Sequence, residues 1–238
     1  MMLSLCISTS TDAVSVALGE DDSVAASFTL RGGKRHAEAL VPTIEQLLVA
    51  AGREIEEVGL IGVDVGPGLF TGMRVGIATA SALAQALEVD LAELCSLDVL
   101  AQAASAVAQR EEVVVWSTLD ARRGEIFYAC HRIGDRAGEP VIERVVAPVV
   151  GTPDDFAEAV VSRGQRCVCI GSGALRYEEA LRDIALIEWF DGLPDIPEAA
   201  TMVAMAHLAA VRDELVPYGR VTPVYLRAPD AEINWETR

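Results

Sequence analysis

The stretch from residue 60 to 76 constrains the fold more than any other part of the chain. Its sequence is Leu-Ile-Gly-Val-Asp-Val-Gly-Pro-Gly-Leu-Phe-Thr-Gly-Met-Arg-Val-Gly. The apolar run at its start predicts a buried strand, and a helix is expected to open near Thr71, with that hydroxyl as the N-cap. Gly66 and Gly68 permit backbone angles closed to other residues and so allow a tight corner between the two elements. Such a corner is either structural or a site for an anion or a partner, and the sequence leaves both interpretations open.

The corner does not match the sharper nucleotide-binding templates. The glycines at 66, 68 and 72 miss the dinucleotide-binding spacing by one residue, and no Lys-Ser or Lys-Thr pair follows as in a phosphate-binding P-loop. The helix that follows presents Gly72, Gly76 and Ala80 on one side, a strip that another helix can approach closely.

The charge balance argues against a chain that grips nucleic acid by itself. The 238 residues include 36 Asp and Glu against 19 Lys and Arg, a formal charge of −17. Phosphate contacts need clustered basic side chains, and the chain has one lysine, Lys34. The five cysteines lie mostly in apolar runs and are expected to be reduced core thiols. No signal peptide and no membrane span are expected, so the sequence predicts a cytoplasmic protein.

The order of predicted elements occurs twice along the chain. Each half has three strands, a helix, a strand that runs into a glycine corner, and a further helix, with the two corners at Gly66 and Gly171. The predicted strands are 3–8, 13–18, 24–30, 60–65, 113–119, 125–132, 141–149 and 166–170, and the predicted helices are 36–51, 71–87, one from 96, 154–162, one after 173, and 199–215. We therefore expect an α/β protein with two lobes, 1–108 and 109–238, each carrying a βββαβα unit. This is the plan of the actin, sugar-kinase and Hsp70-ATPase (ASKHA) superfamily.

The corner also resembles a family signature. Residues 66–74, Gly-Pro-Gly-Leu-Phe-Thr-Gly-Met-Arg, resemble the Gly-Pro-Gly-Ser-Phe-Thr-Gly-Leu-Arg signature of the bacterial TsaB (YeaZ) proteins, with Leu69 replacing a serine. Supporting matches lie at 8–10 with 15–18, 96–97 with 100–101, 120–122, 171–174 and 223–227, so the resemblance covers nearly the whole chain. The signature residues carried over to this chain are Gly66, Pro67, Gly68, Phe70, Thr71, Gly72 and Arg74.

The resemblance implies a role in making threonylcarbamoyladenosine in tRNA. It implies a scaffold that does not catalyse the transfer itself, pairs with the transferase TsaD and lets the ATPase TsaE dock onto the pair. Helices 36–51 and 71–87 would form a bundle with the matching helices of TsaD, and the same surface would support a homodimer when TsaD is absent. The residues expected at this interface are Leu40, Ile44, Leu47, Met73, Ile77 and Ala80. Contact with tRNA is expected only through the partners, and ATP or ADP only at an interface of the assembled complex.

The chemistry of the residues agrees with an idle subunit. TsaD-like enzymes hold a metal with two histidines four residues apart at the start of the third helix, where this chain has Ser96 and Leu100. No metal ligands are therefore expected. Ser8 stands where many relatives of the fold place Asp, so the acid that would manage a nucleotide-bound magnesium is missing. The alternative function is a nucleotide-dependent kinase or ATPase of the same fold, with Asp12 or Asp64 substituting for that acid. A zinc glycoprotease is a poorer third hypothesis, because the three histidines lack metal-ligand spacing.

Four further residues have two interpretations each. Asp120 and Arg122 lie at a predicted hairpin tip, which is either an anion or partner contact or a salt-bridged turn. Arg74 lies in the first turn of a helix, where the dipole disfavours a cation, and this favours a functional role. His36, at the start of the first helix, is either a ligand or a solvated residue, and we favour the solvated interpretation.

Overall fold

Two five-stranded mixed sheets form the framework of the protein. The computed structural model describes residues 1–32, 36–105, 112–136, 139–190 and 192–227. The first sheet contains β1 (Leu3–Ser8), β2 (Val14–Glu20), β3 (Ser23–Leu30), β4 (Val58–Gly66) and β5 (Leu91–Cys95). The second contains β6 (Val113–Arg122), β7 (Glu125–Arg136), β8 (Glu139–Gly151), β9 (Cys167–Ile170) and β10 (Ile187–Glu188).

The two sheets have the same topology. The first has the order β3-β2-β1-β4-β5, with β1 antiparallel to β2 and parallel to β4. The second has the order β8-β7-β6-β9-β10, with β6 antiparallel to β7 and parallel to β9. The α/β class and the duplicated unit are therefore confirmed, and the protein has the two-lobed ASKHA plan. The fifth strand of each sheet was not predicted; β10 has only two residues, too short for a readable pattern, and β5 has five.

Seven helices cover the faces of the sheets in the described part of the chain. They are α1 (His36–Ala51), α2 (Phe70–Leu87), α3 (Ser96–Ala104), α4 (Pro153–Arg163), α5 (Ser172–Arg176), α6 (Glu178–Leu181) and α7 (Ala199–Val211). On the first sheet, α1 and α2 pack on one face and α7 on the other. On the second sheet, α4, α5 and α6 share one face and α3 packs on the other. None of the described helices is long and apolar enough to cross a membrane.

Two helices cross from one half of the chain to the sheet of the other half. Helix α3 follows β5 in the first half, yet Leu97 and Leu100 pack in one core with Val115 and Leu119 of β6. Helix α7 comes from the second half and packs on β1 and β2. The division into 1–108 and 109–238 stays a prediction, because its boundary falls in residues 106–111, outside the described ranges. The crossing of α3 and α7 is a feature that a division by sequence does not contain.

Both glycine corners have a backbone conformation that side chains rarely adopt. Gly66 and Gly171 each have φ of +100°, and a Cβ added at Gly171 would overlap the carbonyl oxygen of Thr118. Helix α2 begins at Phe70, beside the expected opening near Thr71, but the predicted N-cap is wrong: Leu69 is the N-cap and Thr71 lies inside the first turn. The amide of Leu69 donates to the carbonyl of Ser10 at 2.7 Å, and this bond fixes the entry to the helix earlier than a threonine cap would.

All five cysteines are free and buried, which confirms the prediction of core thiols.

Candidate functional site

The residues predicted for the partner interface lie mostly in the core of the first lobe. Leu40, Leu47 and Ala80 have no exposed surface, Met73 is 2% exposed and Ile44 is 5% exposed. This part of the prediction is wrong, because the spacing that reveals an amphipathic helix marks the face that packs on its own sheet. The sixth residue, Ile77, is half-buried.

The glycine strip of α2 also faces inward. A Cβ added at Gly72 would overlap the carbonyl oxygen of Thr9, and one added at Gly76 would overlap its hydroxyl. The hydroxyl of Thr9 donates to the carbonyl of Gly72 at 2.8 Å. The expectation that this strip receives another helix is therefore wrong, since the turn after β1 already fills it.

His36 is buried rather than solvated. It is 8% exposed, and its Nε2 lies 2.7 Å from the carbonyl oxygen of Thr11. The interpretation as a solvated residue is wrong because the start of α1 packs against the turn between β1 and β2.

The opposite faces of α1 and α2 are exposed and carry small and apolar side chains, interrupted by Glu45 and Gln46 of α1 and Gln85 of α2. Val41 is 49% exposed and Val49 is 82% exposed. We define the outer helical face as Ala37, Val41, Pro42, Val49 and Ala50 of α1 with Ala78, Ala82 and Ala86 of α2, all of which are exposed. The sequence of α2 contains no charged residue between Arg74 and Glu88. An exposed apolar surface on two adjacent helices is typical of an interaction site.

Two clefts lie where the hairpin tips of the two lobes meet. The larger, of about 850 Å³, lies between the signature loop (residues 66–74), the β6–β7 tip and residues 224–227. The smaller, of about 280 Å³, includes residues of the β1–β2 turn together with Asp120, Arg122 and Ser172. Arg122 bridges the lobes, because its guanidinium is paired with Asp12 in the β1–β2 turn and with Asp120 in its own hairpin. The structure thus contains the salt-bridged tip, while an anion or partner contact by Asp120 and Arg122 stays a prediction.

A buried carboxylate lies beneath the smaller cleft. Asp64, at the end of β4, is 1% exposed and accepts four hydrogen bonds. The donors are the hydroxyls of Ser8 at 2.7 Å, Ser10 at 2.5 Å and Ser96 at 2.5 Å, and the amide of Gly66 at 2.9 Å. Burial raises the pKa of Asp64, and the four hydrogen bonds oppose that shift. Every neighbour that bonds this carboxylate is a donor, so its oxygens are saturated by the protein.

The signature loop and the C-terminal segment contact each other. The guanidinium of Arg74 lies 3.8 Å from the ring centre of Phe70, and its Nε donates to the hydroxyl of Tyr225 at 3.0 Å. The rings of Phe70 and Tyr225 are 5.1 Å apart. Arg227 pairs with Glu125 and donates to the carbonyl of Ala121 in the second lobe. Two motifs distant in the sequence therefore form one joint between the lobes, and Arg74 has an aromatic partner.

One polar cluster gave no signal in the sequence. Asp98 in α3 accepts from His131 of β7 at 2.8 Å and from Nε of Arg144 of β8 at 2.9 Å. Ser117 lies 3.4 Å from the other ring nitrogen of His131 but has no exposed surface, so it is not accessible to a substrate. Burial acts to raise the pKa of Asp98, but the bonds from His131 and Arg144 together outweigh it and hold the pKa below its ordinary value. Sequence reasoning found only that Asp98 lies in the first turn of a helix, because the other two residues come from distant strands.

The described residues contain no group of three or more His, Cys, Asp and Glu side chains arranged to hold a metal ion.

Comparisons with known proteins agree on one family. The model of the TsaD family, described as tRNA N6-adenosine threonylcarbamoyltransferase, matches residues 29–166. The tRNA threonylcarbamoyladenosine biosynthesis protein TsaB of Escherichia coli is 28% identical over 223 residues, 94% of each chain. The protein of the same name from Bacillus subtilis is 25% identical and covers 98% of each chain.

A solved structure extends the match to three dimensions. The structure of YeaZ from Pseudomonas aeruginosa aligns with a TM-score of 0.76 at 28% identity, covering 95% of this chain and all of that one. The structural match, the signature residues at the start of α2 and the named relatives all point to one assignment. The chain belongs to the TsaB (YeaZ) family of tRNA threonylcarbamoyladenosine biosynthesis proteins, within the wider family that the transferase model describes.

Proposed function

We propose that this chain is a non-catalytic scaffold in the biosynthesis of threonylcarbamoyladenosine in tRNA. It pairs with the transferase TsaD, and the ATPase TsaE docks onto the pair. The outer helical face carries the proposal. The names of the curated relatives support the pathway, and the exposed face of α1 and α2 supports the role of a partner-binding subunit.

The chemistry of the outer helical face suits a bundle with two helices of another subunit. Its small side chains let a partner helix approach closely, and its valines add apolar surface that binding would remove from water. Val49, at 82% exposed, is the clearest example of an apolar side chain with no cover in the monomer. Because the same patch on a second copy is self-complementary in the same way, it also supports a homodimer when TsaD is absent.

The net charge of −17 suits a cytoplasmic subunit whose contact with tRNA is made by its partners. The absence of catalysis is part of the proposal. Ser8 offers no carboxylate at the first turn, and the four donors around Asp64 occupy the oxygens that a magnesium ion would need. The ion pair of Arg122 engages Asp12, the other acid that could serve a nucleotide-bound magnesium. We assign ATP or ADP to an interface of the assembled complex, and isothermal titration of this chain with ATP and Mg²⁺ tests that assignment. Heat of binding together with ATP turnover by this chain alone would favour the kinase or ATPase alternative.

The pairing is tested by size-exclusion chromatography with light scattering, on this chain alone and mixed with TsaD of the same organism. The wild-type chain is expected to form a stable one-to-one complex that displaces any homodimer. Val49→Asp and Ala78→Arg place charges on the outer helical face and are expected to abolish the complex while the circular dichroism of the monomer stays unchanged. Val161→Asp is the matched control, since Val161 is 57% exposed on α4 of the other lobe.

A complex that survives both substitutions on the outer helical face would contradict this interface. Failure of the wild-type chain to bind TsaD under any condition would contradict the scaffold role itself.

A further inference from the structure

The buried carboxylate of Asp64 joins three segments that meet at the signature loop. Ser8 ends β1 and Ser10 lies in the turn that follows it, Gly66 is the corner at the end of β4, and Ser96 is the first residue of α3. The bonds from Ser8 and Ser10 both reach Oδ2, while the corner amide and Ser96 reach Oδ1. Each oxygen therefore fastens two groups, and removing the carboxylate would release all three segments at once.

This carboxyl group is held by hydrogen bonds rather than by a counter-ion. The amide N–H of Gly66 can only donate, so Oδ1 is an acceptor, and the serine hydroxyls lie at 2.5 to 2.7 Å. The described groups that bond to Asp64 include no Arg, Lys or His side chain. The start of α3 lies against the carboxylate, where the helix dipole favours a negative charge.

The turn held by Asp64 also packs against and hydrogen-bonds to the start of α2. The carbonyl of Ser10 accepts from the amide of Leu69, the N-cap of the helix. Its neighbour Thr9 fills the glycine strip of α2 and bonds to the carbonyl of Gly72. The path from the carboxylate to the helix is thus two hydrogen bonds long, through Ser10.

We propose that Asp64 is a positioning residue: it fixes the turn after β1 so that α2 presents the outer helical face in the geometry its partner requires. The inference rests on the proposed function for the identity of the partner, but the contact between the turn after β1 and the start of α2 is a property of this chain alone.

The geometry would also let a carboxyl group on the neighbouring strand β1 take the place of the Asp64 carboxyl group. In the register of the parallel strands β1 and β4, Ile7 lies beside Val63, so Ser8 and Asp64 follow side by side. The hydroxyl of Ser8 already touches the carboxylate at 2.7 Å. An acid at position 8, with a hydroxyl at position 64, would place a carboxyl group within the same set of donors.

The test combines Asp64→Asn, Ser8→Asp, Asp64→Ser and the double variant Ser8→Asp/Asp64→Ser. Two readouts are used: hydrogen exchange of residues 66–76 in the isolated chain, and the dissociation constant with TsaD. Asp64→Asn is expected to speed exchange in this segment and to weaken TsaD binding roughly tenfold, with exchange in β6 unchanged. The double variant is expected to return the exchange rate and the dissociation constant to within about threefold of the wild type. Ser8→Asp alone is expected to increase both quantities more than Asp64→Asn does, because it brings two carboxylates together.

The matched control is Asp90→Asn, an exposed aspartate of the same lobe, which is expected to change neither readout. Unchanged exchange in Asp64→Asn would overturn the proposal, and so would a folded double variant that recovers neither readout.

If Asp64→Asn does not fold, two variants that keep the carboxylate decide the matter. Ser10→Ala removes the donor that leads to α2, and Ser96→Ala removes the donor that leads to α3. Ser10→Ala is expected to speed exchange at the start of α2 more than Ser96→Ala, and equal effects would overturn the proposal. Should the wild-type chain not bind TsaD, the proposed function fails, while the exchange measurements still decide the role of Asp64.

Discussion

At the scale of single residues, Asp98 makes a charged contact between α3 and the second sheet. It is expected to stabilise the fold through its bonds to His131 and Arg144, so Asp98→Asn should lower the free energy of unfolding at pH 7 by about 2 kcal/mol. Because the folded-state pKa of Asp98 lies below its ordinary value, this contribution is complete above pH about 4 and is lost as the pH falls through the lowered value. Urea unfolding of both proteins between pH 7 and pH 3 measures the difference.

The control for that series is Asp183→Asn, an exposed aspartate, which is expected to leave the unfolding free energy unchanged. A difference between wild type and Asp98→Asn that persists undiminished at pH 3 would contradict the assignment.

Residues of this kind show where sequence reasoning stops. The sequence places Ser8 at the end of one predicted strand and Asp64 in another, but the two lie 56 residues apart and their bond depends on which strands become neighbours. Likewise, no local spacing predicts that Asp98 meets His131 and Arg144. Pairing across a sheet is a property of topology, so these contacts follow only once β1 is placed beside β4 and α3 is placed on β6.

At the scale of elements, the contact between α2 and the turn after β1 offers a test in which two physical effects oppose each other. In an exposed helix, glycine to alanine favours folding by about 1 kcal/mol. At Gly72 the added methyl would overlap the backbone carbonyl of Thr9, and such overpacking costs about 1 to 3 kcal/mol. We expect Gly72→Ala to lower the melting temperature, because the backbone of the turn cannot move aside without breaking the bonds around Ser10.

Thermal unfolding followed by circular dichroism measures this effect, with Ala86→Leu on the exposed side of the same helix as the control. The control is expected to be neutral in the monomer. A stabilised Gly72→Ala protein would show that the turn yields easily and that helix propensity prevails.

Helices α1 and α2 were predictable as elements but not in their orientation. The spacing of Leu40, Ile44 and Leu47 correctly marks an apolar stripe, and the structure uses that stripe for the core. The outer helical face is marked by small residues such as Ala78 and Ala82, which carry little hydrophobic signal. A sequence pattern therefore identifies the face that must be buried first, and a second, weaker face becomes visible only when the first is known to be covered.

At the scale of the whole molecule, the joint between Phe70, Arg74 and Tyr225 links the C-terminal segment to the first lobe. A double-mutant cycle of Phe70→Ala and Tyr225→Ala is expected to give a coupling energy of about 1 kcal/mol, since an aromatic pair in contact contributes beyond its buried area. Urea unfolding of the four proteins supplies the values. Strictly additive effects would mean that the ring contact does not stabilise the segment.

The duplicated plan of the molecule was readable from the sequence, since Gly66 and Gly171 repeat the same corner in the same position of each unit. The crossing of α3 and α7 was not. Both helices are rich in apolar residues, and nothing in such a composition states which of two sheets will receive them.

The crossing has a consequence for how the protein loses its structure. Each lobe borrows part of its hydrophobic cover from the other half of the chain, with Leu97 and Leu100 in one direction and Met202 and Val203 in the other. Neither lobe can therefore melt and leave a complete neighbour behind, as independent domains on a flexible linker do. We expect a single calorimetric transition whose van't Hoff enthalpy equals its calorimetric enthalpy. If the chain were cut between the two halves, the fragments would have to reassociate before either core was complete, because each lobe needs a helix from the other half.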